Sequence, residues 1–484
     1  MKKTYQFASI LALVLIFPII QQNSQAQVST TLYHMYGVPQ ANQLNPAFQP
    51  HCDGYLGFPM LSPLNFSMES NPLKYEDIFS YNAQLDQMIT FMHPQGDQEA
   101  FLNTLKPYND LSSSIGSGPL SVGWRNKQFY FTVDFKERME LNSGFTKDFA
   151  EFLINGNRNQ ERFNFSETGL DVSYFHELAF GVSYDFEDQF QVGGRVKFLF
   201  GLANVNTRLT DITLTAYEDR WDFNSNIMLD ITGPELMVPV DSAGFVIWDE
   251  IDADIDPEND DFAGYVFDNF GTFMGAGNLG LGIDLGFSFN PIENLSVSAS
   301  LNDMAFIRWK NESYQLKQDG SFGWEGVEVT LEEGWDPGED LLDSLENQMK
   351  FSAVNEPYTT YLSGKVYLGA AYELNDMIKF GAVDRIRIYN NHFFNQLTLS
   401  ANVMPIQMFS ATISYSVIGQ DYMNFGLGLS LRLGPFNMYF ISDQAPSGYL
   451  FPDQINSVNF RFGLNLVFGC AKIPKKLQDR PLVD

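Results

Sequence analysis

The feature that most constrains this chain is an alternation of apolar and polar residues with a period of two. Phe129, Phe131, Val133 and Phe135 alternate with Gln128, Thr132, Asp134 and Lys136. The same rhythm runs through Val172, Tyr174, Leu178, Phe180, Val182, Tyr184 and Phe186, and resumes in Phe190, Val192, Val196 and Phe198. It returns in Leu279 to Phe289, Val366 to Leu374, Phe425 to Leu433 and Val458 to Phe468. A period of two means strands with one apolar and one polar face. After Ile20 no unbroken apolar stretch reaches the roughly 18 residues a membrane-crossing helix needs, so a helical membrane protein is excluded.

A soluble sandwich would alternate in the same way, and the connections arbitrate. Short turns fall near Arg125-Asn126-Lys127, Glu187-Asp188, Pro291 to Asn294, Asn375-Asp376, Met404 to Ile406 and Gly434-Pro435. Most links between them are long, at 69–116, 143–168, 233–274 and 311–357. Short turns at one end and long loops at the other are the pattern of outer-membrane barrels. The expected fold is therefore all-β, a closed antiparallel transmembrane β-barrel over 54–469, with about 14 strands (range 14–16) and both termini periplasmic. Its first strand is expected over Gly54 to Met68. Gly201 to Thr232 reads as two strands, three, or one bulged hairpin. Leu73, Ile78, Leu85, Met88, Ile89 and Met92 recur at helix-like spacing, so 74–106 reads as partly helical, within an extracellular loop or the barrel mouth.

The N-terminus agrees with export. Lys2 and Lys3 precede an apolar run from Phe7 to Ile20, and Ser24-Gln25-Ala26 sets small residues before a cut between Ala26 and Gln27. This reads as a signal peptide over 1–26. No cysteine stands at the cut, so a lipoprotein is excluded. The destination implied is the outer membrane of a Gram-negative bacterium, with membrane lipid as the partner of the apolar faces. A formal net charge of -30 argues against nucleic acid and suits solvated outer loops.

In such a barrel Arg195, Lys197, Lys365, Glu373 and Arg461 point into the lumen, and bulky Tyr130, Tyr361 and Tyr367 argue for a filled interior. Cys52 precedes the first strand and Cys470 follows the last. Closure makes those strands neighbours, so a Cys52–Cys470 disulfide at the periplasmic seam is expected, with two free thiols the open alternative. Gly275-Ala276-Gly277-Asn278-Leu279-Gly280 matches a dinucleotide fingerprint but leads into a strand, so it reads as close packing or a bend in the wall. Asp252, Asp254 and Asp256 have calcium-loop spacing, but Pro257 replaces the turning glycine and Ala263 the bidentate glutamate. They make at most a weak divalent-cation site in an acidic outer loop. His34, His51, His93, His176 and His392 lie in no catalytic motif. His176 falls on the apolar face of its strand. Neither an enzyme nor a bound cofactor is expected.

Asn45-Pro46-Ala47-Phe48 resembles the N-P-A element in the plug of long-chain fatty-acid transporter (FadL-like) barrels. Leu199 to Asn204, Leu301 to Trp309, Gly434-Pro435 with Tyr439 and Ser442-Asp443, and the ending Phe460 to Cys470 resemble an uncharacterised outer-membrane barrel family. That family is related to those transporters and to barrel components of type IX secretion. The resemblance covers nearly the whole mature chain and implies about fourteen strands, with a plug folded into the lumen. The plug, or hatch, is placed at 27–53 and a periplasmic tail at 470–484. The function implied is passive uptake of a hydrophobic or amphipathic small molecule. The alternative is a non-transporting scaffold that holds a protein partner through loops 233–274 and 311–357, which carry Trp248, Phe262, Tyr265, Phe267, Trp324 and Trp335.

Overall fold

The structure is a computed structural model. It describes residues 30–470 apart from 249–276, 325–348 and short breaks at 36, 158–160, 187–188, 218–219, 235, 376, 390–391, 407, 419–420, 451–452 and 454. The expected signal peptide with its cut at Ala26 and Gln27, the acidic Asp252, Asp254 and Asp256, the loop aromatics Phe262, Tyr265, Phe267 and Trp335, and the tail beyond Cys470 lie outside the described residues.

The chain begins with β1 (Gly54–Gly57) and β2 (Leu64–Asn71), then a hairpin of β3 (Phe79–Asn82) and β4 (Gln87–Thr90). It continues through β5 (Tyr108–Asn126), β6 (Phe129–Thr146), β7 (Arg162–Asn164), β8 (Gly169–Phe186), β9 (Phe190–Ala216) and β10 (Trp221–Thr232). Next come β11 (Leu279–Ile292), β12 (Leu295–Trp309), β13 (Ser313–Trp324), β14 (Ser352–Asn355), β15 (Tyr358–Tyr361) and β16 (Gly364–Asn375). The last six are β17 (Ile378–Tyr389), β18 (His392–Ile406), β19 (Phe409–Ile418), β20 (Asp421–Leu433), β21 (Phe436–Ser442) and β22 (Ser457–Phe468). Antiparallel neighbours run from β1 and β2 through β5, β6, β8, β9, β11, β12 and β16, then in order to β22. β22 pairs back onto β1, with Gly54 opposite Phe468, and onto β2, with Met68 opposite Val458. β1 and β2 act as one interrupted strand, so the ring closes with 14 strands.

Burial is inverted relative to a water-soluble protein. Along β11, Leu279, Leu281, Ile283, Leu285, Phe287 and Phe289 are exposed, while Gly280, Gly282, Asp284 and Ser288 between them are buried. Such a wall is stable only against hydrocarbon, and ring closure satisfies every strand edge there. The barrel is of the outer-membrane kind, and its polar core is its lumen.

Several details depart from the sequence reading. β1 and β2 are separated at 58–63, where Pro59 and Pro63 cannot donate to a ladder, and the excursion is held by Phe58 N–H to Leu464 O and Met60 N–H to Gly118 O. The segment read as partly helical does carry two short helices, α1 (Tyr75–Ile78) and α2 (Gln98–Thr104), but Leu85, Met88, Ile89 and Met92 lie in the β3–β4 hairpin or just beyond it. Gly201 to Thr232 is the bulged hairpin among the alternatives, made of the outer half of β9 and β10 with a register shift at Met228-Leu229. Together with β7, β13 and β14 these form a sheet standing beyond the ring, so the supposed loop 311–357 carries two of its strands. Tyr361 does not point inward. It is 75% exposed and lies opposite the outward Phe306, because Leu362-Ser363 shifts the phase between β15 and β16. His176 is buried against Glu137, its cross-strand neighbour, rather than open to lipid.

Candidate functional site in the barrel lumen

The lumen is filled from the inside by the N-terminal segment. Residues 30–50 make two 3-10 turns, Thr30–His34 and Pro39–Gln43, and nearly every described residue among them is buried. Their anchors come from strands all round the ring. The amides of Thr30 and Thr31 donate to the Asp443 carboxylate at 2.9 and 3.1 Å. Gln40 donates to Asn465 at 2.7 Å, Gln43 to Asp134 at 3.1 Å, and the Leu44 carbonyl accepts from Ser300 and Asn302 at 2.6 and 2.7 Å.

Asn45 and Pro46 occupy a seat cut into the wall. The Asn45 amide nitrogen lies 3.1 Å from the Tyr33 hydroxyl, 3.2 Å from Phe287 O and 3.3 Å from Ala299 O, while its oxygen accepts from Ala47 N–H at 3.0 Å. Gly193 of β9 and Gly286 of β11 are cross-strand partners on the inward face. A Cβ on Gly286 would lie 2.1 Å from Asn45 Oδ1, and one on Gly193 would lie 2.1 Å from Pro46 O. The paired glycines let the segment approach the strand backbone closely. Ala47 is buried beside them, and Phe48 packs edge-on to Tyr33 at 5.1 Å.

Beyond this seat lies an ion network centred on Asp303. Its carboxylate accepts from Arg138 at 3.1 and 3.2 Å, Lys197 at 2.6 Å and Lys365 at 2.6 Å. Lys197 also reaches Asp284 at 2.8 Å, Arg138 pairs with Glu140 and Glu177, and Lys136 lies 3.6 Å from Glu177. Four cations thus meet four carboxylates, and such matching is what lets charges persist away from water. Asp303 owes its position to a bulge. Asn302 and Asp303 together face Asp284, and Asp303 takes φ 59°, a conformation aspartate tolerates better than most residues. Both side chains therefore turn inward.

Between the segment and the network is a cavity of about 110 Å³. Gln43 and Leu44 line it, as do Lys136, Arg138, Arg195, Lys197, Lys365 and Arg461, with Tyr367 beside them. Of the expected lumen charges, Arg195 pairs with Asp134 at 2.8 Å and Arg461 donates to Gln43. Lys197 and Lys365 join the Asp303 network. Glu373 sits apart, half-buried near the inner turn, where its N–H donates to Asn294 O at 2.9 Å. Tyr130 and Tyr367 are buried, and Tyr367 stacks on Tyr33 at 5.6 Å.

The sequence reading gave no role in the lumen to Asp303, Asp134, Asp443 or the Gly193–Gly286 pair. The slip in alternation at Asn302-Asp303 was the available signal for the bulge. The glycines fall on the inward positions of their strands and carried a weaker one.

Toward the outer side Arg387 donates to Asp110 at 3.2 Å and Asn142 at 3.1 Å, and His392 stacks on Tyr108 at 4.7 Å. At the inner side Cys52 and Cys470 are disulfide-bonded, and Arg125 beside them donates to Pro50 O at 2.7 Å. The bond ties the end of the N-terminal segment to the closing strand. Among the described residues no cluster suited to a metal ion occurs.

No curated protein matches the sequence. Among solved structures, the toluene transporter TbuX of Ralstonia pickettii shares 9% identity at a TM-score of 0.38, covering 89% of this chain and 94% of its own. The toluene transporter TodX of Pseudomonas putida shares 9% at 0.36, covering 92% and 98%. A FadL homologue of Pseudomonas aeruginosa shares 10% at 0.35, covering 93% and 100%. These likenesses are loose, and the barrel assignment rests on the strand pairing and burial described above. A family model matches residues 46–443, from the Asn45-Pro46 seat to Asp443, and the chain belongs to that family, the family of unknown function DUF5723.

Proposed function

We propose that this protein passes a hydrophobic or amphipathic small molecule across the outer membrane without an energy source of its own. The observation that carries the reading is the cavity over Gln43 and Leu44, where Lys136, Arg138, Lys365 and Arg461 stand beside the Leu44 and Tyr367 side chains. A mixed lining of this kind suits a molecule with an apolar body and a polar or acidic head. On this reading residues 1–26 are an export signal cut between Ala26 and Gln27, residues 27–53 are a plug, and 470–484 are a periplasmic tail. Asn45-Pro46-Ala47-Phe48 is the part of the plug that leaves its seat to open the path. Native mass spectrometry of the protein taken gently from its own outer membrane tests this. A retained amphiphile, lost in the Lys365→Ala/Arg461→Ala variant, supports it, whereas a retained protein with no small molecule overturns it.

A scaffold role is the second reading, favoured by the sheet of β7, β9, β10, β13 and β14. β9 runs 27 residues where about 9–11 suffice to cross a bilayer, so its outer half serves another purpose. Deleting 311–357 abolishes recovery of a protein partner on this reading and leaves it untouched for a simple transporter.

A further inference from the structure

We propose that the β3–β4 hairpin is a lipid-contacting finger that lays its apolar face into the outer leaflet beside the barrel. The hairpin is a separate two-stranded sheet whose described pairing is wholly internal, with Phe79 opposite Thr90 and Tyr81 opposite Met88. Strand alternation puts Phe79, Tyr81 and Met88 on one face, and Ile89 on the other. Ile89 is buried against the protein, and the neighbouring Ile78 and Phe91 pack into the small core of Leu73, Phe101, Leu102 and Leu105. Among the described residues the opposite face is exposed, apart from the Tyr75 ring stacked on Phe79 at 5.0 Å. Tyr81 is 61% exposed and Met88 47%, and Tyr75, Leu85 and Met92 are exposed around them.

Two observations choose lipid as the occupant. One is continuity with the barrel's apolar belt. Met68 of β2 and Val458 of β22 are paired, exposed and face the bilayer. Immediately beyond them Ser70 N–H donates to Asn456 O at 2.9 Å and Tyr75 N–H to Ile455 O at 2.8 Å, which fixes the base of the hairpin to the rim of that belt. The other is charge. In a chain of formal net charge -30, the stretch from Ile78 to Met92 holds a single ionisable carboxylate, Asp86, and it accepts a hydrogen bond from the Tyr81 hydroxyl. A segment with aromatic and apolar side chains, little charge and a polar edge suits the membrane interface.

The test is nitroxide labelling of Met88→Cys and, separately, Tyr81→Cys in the full chain, reconstituted into phosphatidylcholine bilayers. Cys52 and Cys470 are bonded to each other and take no label. Collision with oxygen, which partitions into lipid, is compared with collision with a water-soluble nickel chelate. Leu281→Cys on the outward face of β11 serves as the lipid reference, and the exposed Met237→Cys as the water reference. The finger is expected to show an oxygen-to-nickel ratio about threefold or more above Met237→Cys, as for side chains seated several ångströms into the interface. A ratio equal to that of Met237→Cys overturns the proposal in favour of a solvent-exposed finger. Low collision with both probes overturns it in favour of a protein-covered one.

Discussion

Substituting Gly286 by valine should expel Asn45 from its seat while leaving the barrel closed. The new Cβ would sit 2.1 Å from Asn45 Oδ1, 2.9 Å from Pro46 Cδ and 3.0 Å from Ala47 N, and the first of these is far inside any real contact. β11 is hydrogen-bonded along its length to both β9 and β12, so the N-terminal segment gives way and the wall does not. Asn45 then loses its bonds to Tyr33, the Phe287–Ala299 backbone and Ala47. Tyr33 and Ala47 belong to the segment itself, so the two bonds to the wall count toward docking, at about 0.5–1.5 kcal/mol each or about 1–3 kcal/mol together. That corresponds to a roughly 5- to 160-fold shift toward the undocked segment. Hydrogen exchange of peptides spanning 30–50 reads the change directly, with barrel-strand peptides as the internal control. Faster exchange confined to 30–50 is expected. Unchanged exchange there, with the valine in place, would refute the idea that the glycine pair forms the seat.

Other outcomes follow from the same geometry. Asp303→Asn leaves Arg138, Lys197 and Lys365 short of a buried negative charge and should destabilise the barrel by about 3 kcal/mol or more, read as a lower thermal unfolding temperature in detergent. Arg387→Ala leaves Asp110 buried and unpaired, and should speed hydrogen exchange at the outer ends of β5 and β6 without altering that of residues 30–50. Replacing Cys52 and Cys470 together by alanine removes a cross-link over 418 residues, worth up to about 6 kcal/mol on the chain-entropy account. Urea unfolding of the variant, compared with the oxidised and reduced parent, measures that loss.

The barrel was legible because the lipid sets one face of every strand. Runs such as Leu279 to Phe289 admit one phase only, and the inner turns are too short to mislead. The inner-face charges followed from that phase, which is why Arg195, Lys197, Lys365 and Arg461 meet at the cavity. Legibility failed where the period is broken or coincidental. Leu85, Met88, Ile89 and Met92 satisfy helical spacing by chance, and the β3–β4 pairing wins because Asp86 takes φ 53° and turns the chain. Asp303 escaped notice because a bulge changes which residues face inward. β7, β13 and β14 were hidden within presumed loops because their partners lie far apart in sequence, as with Trp221 and Trp324. What the lumen holds depends on such distant pairings, and a single sequence carries little trace of them.

On the proposed function the N-terminal segment ending at Phe48 obstructs the lumen and governs passage through it. Single-channel recording of the protein lacking Gln27 to Phe48, in planar bilayers beside the intact chain, tests it most directly. A closed or barely conducting intact barrel and a steady open conductance after the deletion are expected. Equal conductance in the two proteins, with the deleted barrel verified as folded, would contradict it.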